Sequence, residues 1–364
     1  MKDKKPYILL TPGPLTTTKS VKEVMMKDWC TWDDEYNNLV QDLRNRLLTL
    51  GVKNKNDYTT VLMQGSGTFS VESVIGSSMT LEDKMLIITN GAYGNRIAEI
   101  ADILNLKYEK IDFGEAGKID VALIREELET GDFTHLAIVH CETTTGRLNP
   151  IQAIGDLIKE FNISYIVDAM SSFGGVEINI EKLGCDFLVS SANKCIQGVP
   201  GFGFVIAKKS AMEKCKGNAK SLSLDLYSQW KIMEDNNGKW RFTSPTHVVR
   251  AFYQALLELE IEGGVKARQA RYTKNREILV RNMEEMGYST LVEKENLSPI
   301  ITTFLVENEK KFIFKDFYNS LKEEGFVIYP GKITEAETFR IGNIGDIHPN
   351  DIERLTNVIK KIRN

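Results

Sequence analysis

Cysteine is scarce in this chain: five among 364 residues, an odd number, with no C-x-x-C pair. That spacing supports neither a disulfide framework nor a zinc site. Long apolar runs are missing too, and the opening MKDKKPY has no apolar core of a secretion signal. A reduced, cytoplasmic setting with no membrane contact is therefore expected. Charge of one sign is not in excess either. A formal net charge of −4 gives no reason to expect nucleic acid or an anionic membrane as partner. Internal repeats and low-complexity tracts are absent. What remains is a globular composition, 42% hydrophobic and 26% charged, in a chain too long for one ordinary core. Two domains are expected.

From Tyr58 the chain alternates short apolar runs with longer helical patterns. Strands are expected at Thr60–Met63, Met85–Thr89, Tyr108–Asp112, Leu136–His140, Tyr165–Asp168, Phe187–Ser190 and Phe204–Ala207. Amphipathic segments such as Ala98–Leu104, Val121–Glu129 and Ile151–Phe161 fill the gaps. Continuous apolar strands alternating with helices predict an α/β fold, a mostly parallel central sheet with helices on both faces. Ligands then belong at the carboxyl ends of the strands. After Pro245 the pattern changes to long helices. The second, about Val265 to Met286, carries Lys266, Arg268, Arg271, Lys274, Arg276 and Arg281, read here as a solvated face. A smaller α/β unit follows.

Three features at expected strand ends carry chemistry. Lys194 follows the run Phe187–Leu188–Val189 and precedes a loop of glycines and one proline. A desolvated lysine titrates low and can become a nucleophile, although a lysine at a strand end often only snorkels to water. Asp168 closes another apolar run, and a buried acid must be paired to stay charged. No histidine or second acid stands at useful spacing, so no metal is expected there. Gln64–Gly65–Ser66–Gly67–Thr68 joins a strand to a helix, where small residues admit an anion to backbone N–H groups. It matches neither a Walker A nor a G-x-G-x-x-G loop, and it also reads as an ordinary capped helix start. An anion cradle, an acid and an amine on one rim describe a pyridoxal phosphate site: phosphate on the helix N-terminus after Gly67, pyridinium against Asp168, imine with Lys194. Tyr93, beyond another strand end, could stack on the ring or serve as a core aromatic.

Thr11–Pro–Gly–Pro–Leu–Thr16, Asp28–Trp–Cys–Thr–Trp–Asp33, Cys141–Glu–Thr–Thr–Thr–Gly146, Val167–Asp–Ala–Met–Ser–Ser172, Ser190–Ser–Ala–Asn–Lys–Cys195 and Lys239–Trp–Arg–Phe–Thr–Ser–Pro–Thr–His247 extend the pattern. Together they resemble the class V group of fold type I pyridoxal phosphate aminotransferases, and within it the branch acting on 2-aminoethylphosphonate and pyruvate. The resemblance spans about residues 8 to 285 and resumes at Phe339–Arg–Ile–Gly342. It implies that Lys194 is the Schiff-base lysine and Asp168 the partner of the ring nitrogen. Ser66, Gly67 and Thr68 would hold the phosphate, with Tyr93 and Met170 on the two faces of the ring. Thr143 would approach the phenolic oxygen, in competition with Thr144 and Thr145. Thr243 would reach the phosphate from a second subunit of an obligate homodimer, and Arg340 would bind the substrate's acidic group. The implied reaction gives phosphonoacetaldehyde and L-alanine.

On this reading residues 1–20 form a segment near the active site, 21–264 the large cofactor-binding domain and 265–364 the small C-terminal domain with its connecting helix. Trp29 and Trp32 are read as structural or as lining the mouth, His140 and His247 as satisfied hydrogen-bonding residues, and Cys195 as an apolar filler. Rival readings are an alanine- or serine:glyoxylate-type aminotransferase, a cysteine desulfurase for which Cys215 is the only cysteine in a plausible loop, and a catalytically silent ligand-binding protein.

Overall fold

The computed structural model describes residues 7–306, 312–331, 333 and 336–363. The first six residues of the expected N-terminal segment lie outside the described residues, as do 307–311, 332, 334, 335 and 364 of the expected small domain.

Seven strands build the central sheet: β1 (Tyr58–Gln64), β2 (Lys84–Thr89), β3 (Lys107–Asp112), β4 (His135–Val139), β5 (Ser164–Asp168), β6 (Phe187–Ser191) and β7 (Phe202–Lys208). Their order is β1-β7-β6-β5-β4-β2-β3. β4 and β6 are buried along their whole length, so both faces of the sheet are covered, as the unbroken apolar runs predicted. At the β3 edge, Lys107 and Lys110 blunt the open ladder. Every other pairing is parallel, but β7 runs antiparallel to both β1 and β6, making the sheet mixed.

That reversal positions the site. β5 and β6 pair in parallel, Asp168 opposite Val189, so the turns that follow them emerge at one rim. β7 starts at this rim because it runs back, with Phe202 opposite Gln64, the last residue of β1. The Gly65–Thr68 turn therefore arrives beside the loop that carries Lys194, and Gly65 N donates to Gly201 O at 3.0 Å. The chain then enters helix α1 (Gly67–Ser78) on this rim, and helix α2 (Ala92–Ile103) starts there after β2.

The C-terminal part holds helices α3 (Thr246–Glu262), α4 (Gly264–Glu285), α5 (Phe314–Glu323) and α6 (Pro349–Arg363). Between them lie strands β8 (Ser289–Thr290), β9 (Ile301–Leu305), β10 (Tyr329–Pro330) and β11 (Thr338–Gly342), an antiparallel sheet in the order β8-β9-β11-β10. Buried apolar side chains form one large cluster from Val21 to Leu259 and a second joining Leu10 to residues 278–359. Phe304, Phe339 and Tyr288 centre the second, the Phe304 and Phe339 rings stacked at 5.6 Å.

The basic helix corrects the sequence reading. Lys266, Lys274 and Arg281 are exposed, but Arg268 is 2% exposed and Arg271 and Arg276 are half-buried. Arg268 and Arg271 share the carboxylate of Glu262, at 2.5 and 2.8 Å. Arg271 also caps Gly345 O and Ile347 O, and Arg276 donates to Leu297 O. The helix is wedged between the two cores, and a guanidinium can be buried there because its several donors are met by carbonyls and one acid.

Candidate active site

β6 ends at Ser191, and Lys194 stands three residues later in a tight turn closed by Gln197 N donating to Lys194 O at 2.7 Å. Nζ of Lys194 donates to Pro12 O at 2.8 Å. The Pro12–Pro14 turn lies directly on the lysine. A β-carbon on Gly13 would fall 2.9 Å from Lys194 Cδ, and its φ of +118° also demands glycine. Burial lowers the pKa of Lys194, the charges of Cys195, Asp168 and Cys141 oppose this, and Arg340 adds to it. The amine is thus biased toward its neutral, nucleophilic form.

Asp168 closes β5, one strand across. Its Oδ1 accepts from Met170 N at 2.8 Å. Burial pushes its carboxyl up to about 6; the bond from Met170 and the charges of Lys194 and Arg96 pull down, while Glu142 pushes further up. A carboxylate in this position is an acceptor for a cation brought to it.

Lys194 and Asp168 line one cavity of ≈200 Å³ together with Ser66, Gly67, Thr68, Tyr93 and Met170. Ser66 is the N-cap of α1 but makes no side-chain capping bond, leaving the helix start open toward the cavity. A β-carbon on Gly67 would meet Sδ and Cε of Met170, so any larger residue here would push the methionine side chain aside. The sequence reading missed Arg96, which also lines the cavity and lies 5.0 Å from the Tyr93 ring. Tyr93, Arg96, Ile97 and Ile100 follow i, i+3, i+4, i+7 on α2, a spacing that would have exposed it.

A second omission is Glu142, fully buried beside this cavity. It accepts from Thr144 Oγ1 at 2.5 Å and from Tyr93 N at 3.1 Å, so it holds the start of α2 and the tyrosine on it. Burial raises its pKa against these hydrogen bonds. The three competing threonines separate here. Thr144 Oγ1 is spent on Glu142, and Thr145 Oγ1 donates to Glu142 O at 3.2 Å. Thr143 Oγ1 is buried without a hydrogen-bond partner among the described residues.

Arg340, 3% exposed, is in the middle of β11. Nε donates to Pro330 O and Nη1 to Thr143 O, both at 2.9 Å, and no carboxylate among the described residues pairs with it. Burial lowers its pKa. In register it stands opposite Thr303 on one side and Tyr329 on the other, so all three share a sheet face with Thr338. The hydroxyls of Thr303 and Thr338 are buried without partners among the described residues. Buried hydroxyls without partners, beside a guanidinium that no acid neutralises among the described residues, can receive a polar, anionic group.

Other expected residues lie elsewhere. Thr243 is exposed and outside the cavity of this chain, in a depression with Thr31, Tyr36 and Trp240. Trp32 is 79% exposed, neither buried nor at the cavity mouth, with Lys239 4.4 Å over its ring. His140 donates or accepts at Ser172 Oγ (2.9 Å) and burial holds it neutral, near a pKa of about 3. His247 meets Asp28 at 3.0 Å. Cys195 is fully buried. Cys215 is fully buried at the end of a short helix, not in an open loop, and burial pushes its thiol up to about 12, away from the reactive thiolate. A larger cavity of ≈560 Å³ lies at the opposite strand ends, around His135 and Lys208, and contains none of the expected site residues. No described helix is long and apolar enough to cross a membrane.

The family model described as Aminotransferase class-V matches residues 33–343. A bifunctional phosphonoacetaldehyde hydrolase/aminoethylphosphonate transaminase of Clostridioides difficile is 60% identical over 359 residues; the match covers 98% of this chain but only 56% of that protein. A 2-aminoethylphosphonate–pyruvate transaminase of Bacillus cytotoxicus is 60% identical over 98% of this chain and 97% of its own length. Among solved structures, the alanine–glyoxylate aminotransferase of a Nostoc species superposes with a TM-score of 0.90 at 25% identity, covering 100% of this chain and 96% of that one.

Proposed function

This chain belongs to the class-V aminotransferase family, and we propose from that membership that it transfers the amino group of 2-aminoethylphosphonate to pyruvate. The products are phosphonoacetaldehyde and L-alanine. One observation carries the reading beyond the names of relatives: a buried guanidinium with no acid partner among the described residues, flanked on its own sheet face by the unpaired hydroxyls of Thr303 and Thr338. A phosphonate has three oxygens to fill such a site, and the carboxylate of pyruvate can use the arginine's fork in turn.

The residues present fit pyridoxal 5′-phosphate. The open start of α1, with Ser66, Gly67 and Thr68, would hold the phosphate. Asp168 would pair with the ring nitrogen, Tyr93 and Met170 would flank the ring, and the unpartnered Thr143 hydroxyl would meet the phenolic oxygen. When bound, the cofactor supplies an electron sink that acidifies the C–H bond beside the amine. The chain's own groups do the rest. Nζ of Lys194 would take the proton from that carbon as general base and, as general acid, deliver it to the cofactor carbon through which the amine is held. The Pro12 carbonyl orients that nitrogen. Asp168 keeps a cation opposite its carboxylate, and Glu142 fixes Tyr93 through the start of α2.

The test is single-turnover bleaching of the protein's visible absorption. 2-Aminoethylphosphonate should bleach it and pyruvate restore it, while serine should not react at a comparable rate. Reaction with serine alone would return the assignment to a serine:glyoxylate-type enzyme.

We read the chain as a homodimer with shared sites, built from the N-terminal segment 1–20 and domains at 21–264 and 265–364. Thr243 does not line the cavity of its own chain, and exposed Trp32, Phe69 (49%) and Phe242 (51%) offer apolar surface near it or near the cradle. Mixing a Lys194→Ala chain with a Thr243→Asp chain should restore part of the wild-type activity, because one of the two sites in each hybrid is intact. Two inactive variants that stay inactive on mixing would show that each site is built within one chain.

A further inference from the structure

Lys194 is tied at both ends to the stretch of chain that follows Arg340. At the amine end it donates to Pro12 O, and the flanking residues are held along that stretch: Gly342 N donates to Leu10 O (2.9 Å) and Asp346 N to Thr16 O (2.8 Å). At the backbone end the tie is Gln197. Its N–H closes the lysine turn, and its side-chain amide, buried at 4% exposure, donates to Gly345 O at 2.8 Å and to Tyr272 Oη at 2.7 Å. Both amide protons therefore leave the loop for the C-terminal part. Gln197 also holds a φ of +69°, a left-handed conformation that glutamine seldom adopts. Such a backbone persists only where its surroundings over-determine it, and such positions gather at active sites. Gly345 stands just past the end of β11, the strand of Arg340.

We propose that Gln197 is a positioning residue that couples occupancy of the Arg340 site to the pose of Lys194, through β11, Gly345 and the Gln197 amide. The coupling rests on the roles given above to Arg340 and Lys194. An anion seated on Arg340 fixes β11, Gly345 O moves with the strand, and among the described residues the only side chain that grips that oxygen from the lysine loop is Gln197. Arg268 Nη1 on Cys195 O, Cys195 Sγ on Ser171 O and Ala192 N on Phe202 O hold the loop without the Gln197 side chain, so it keeps its shape when that amide is removed; Tyr272 Oη, which accepts from Gln197 and from Gly345 N, donates to Cys195 O as a weaker parallel link.

The experiment compares cofactor-loaded wild type with Gln197→Met, which keeps length but removes the donor, and Gln197→Gly, which also relieves the positive φ. The probe is ethylphosphonate, the substrate's anion without its amine. In wild type it should slow amide hydrogen exchange across residues 192–201. In both variants it should bind within about twofold of the wild-type Kd while most of the loop's added protection is lost, and kcat should fall about tenfold with KM nearly unchanged. Equal protection of the loop in wild type and both variants, or wild-type kcat in Gln197→Gly, would overturn the coupling alone. Wild-type protein that fails to bind ethylphosphonate, or Arg340→Ala protein that binds it equally well, would overturn the role of Arg340 and the coupling with it.

Discussion

Lys194→Ala should lower kcat by about 10⁴-fold or more, because one nitrogen serves both as the attachment point and as the proton carrier, and a positioned acid–base group alone supplies up to about 10⁴. The fold should tolerate the change. Nζ makes one hydrogen bond, to Pro12 O, and losing a neutral-acceptor bond of this kind costs on the order of 1 kcal/mol. The cofactor should still bind through the α1 cradle and Asp168 without a covalent link, so borohydride should fix it to wild type and not to the variant. Turnover within tenfold of wild type would remove Lys194 from its role.

Asp168→Asn should split activity from stability. Activity should fall by about 10²–10³-fold, the loss typical of one preorganised electrostatic group. The cofactor-free protein should instead become more stable at neutral pH. In the folded chain the Asp168 carboxyl titrates at about 6 against 3.8 for a free aspartate side chain, chiefly because it is buried. Between these values the folded state binds the extra proton, so stability falls as pH rises from about 4 to about 6 and stays lowered above. That shift corresponds to roughly 3 kcal/mol, and asparagine removes it while its carbonyl can still accept from Met170 N. An unsatisfied amide proton takes some of this back, leaving about 1–3 kcal/mol. Denaturant melts of the two apoproteins should diverge above pH 6 and converge near pH 4. An Asn variant less stable than wild type at pH 8 would show that another cation already neutralises Asp168.

Much of the architecture was legible because it rests on local patterns. Apolar runs marked six of the seven central strands to within a few residues, the exposed edge strand β3 (Lys107–Asp112) being mostly polar, and small residues at Gly65–Thr68 marked the start of α1. Arg268 was misread because helical periodicity counts charge as solvent-facing, whereas a guanidinium with a carboxylate and a carbonyl in reach can be buried. Glu142 was passed over for a related reason: its partners, the backbone of Tyr93 and the hydroxyl of Thr144, come together only after folding. Three adjacent threonines were indistinguishable in the chain and distinct in space, since only Thr143 keeps a free hydroxyl.

Residue chemistry and order along the chain sufficed to name an amine, an acid and an anion cradle at strand ends, because burial of apolar runs forces strand ends to a common rim. Folding decided which of their neighbours act. The antiparallel return of β7 brings the cradle to the lysine, the register of β9 and β10 against β11 surrounds Arg340 with hydroxyls, and the turn past β11 reaches back to Gln197. These are contacts between segments far apart in sequence, set by pairing and packing that no local pattern encodes.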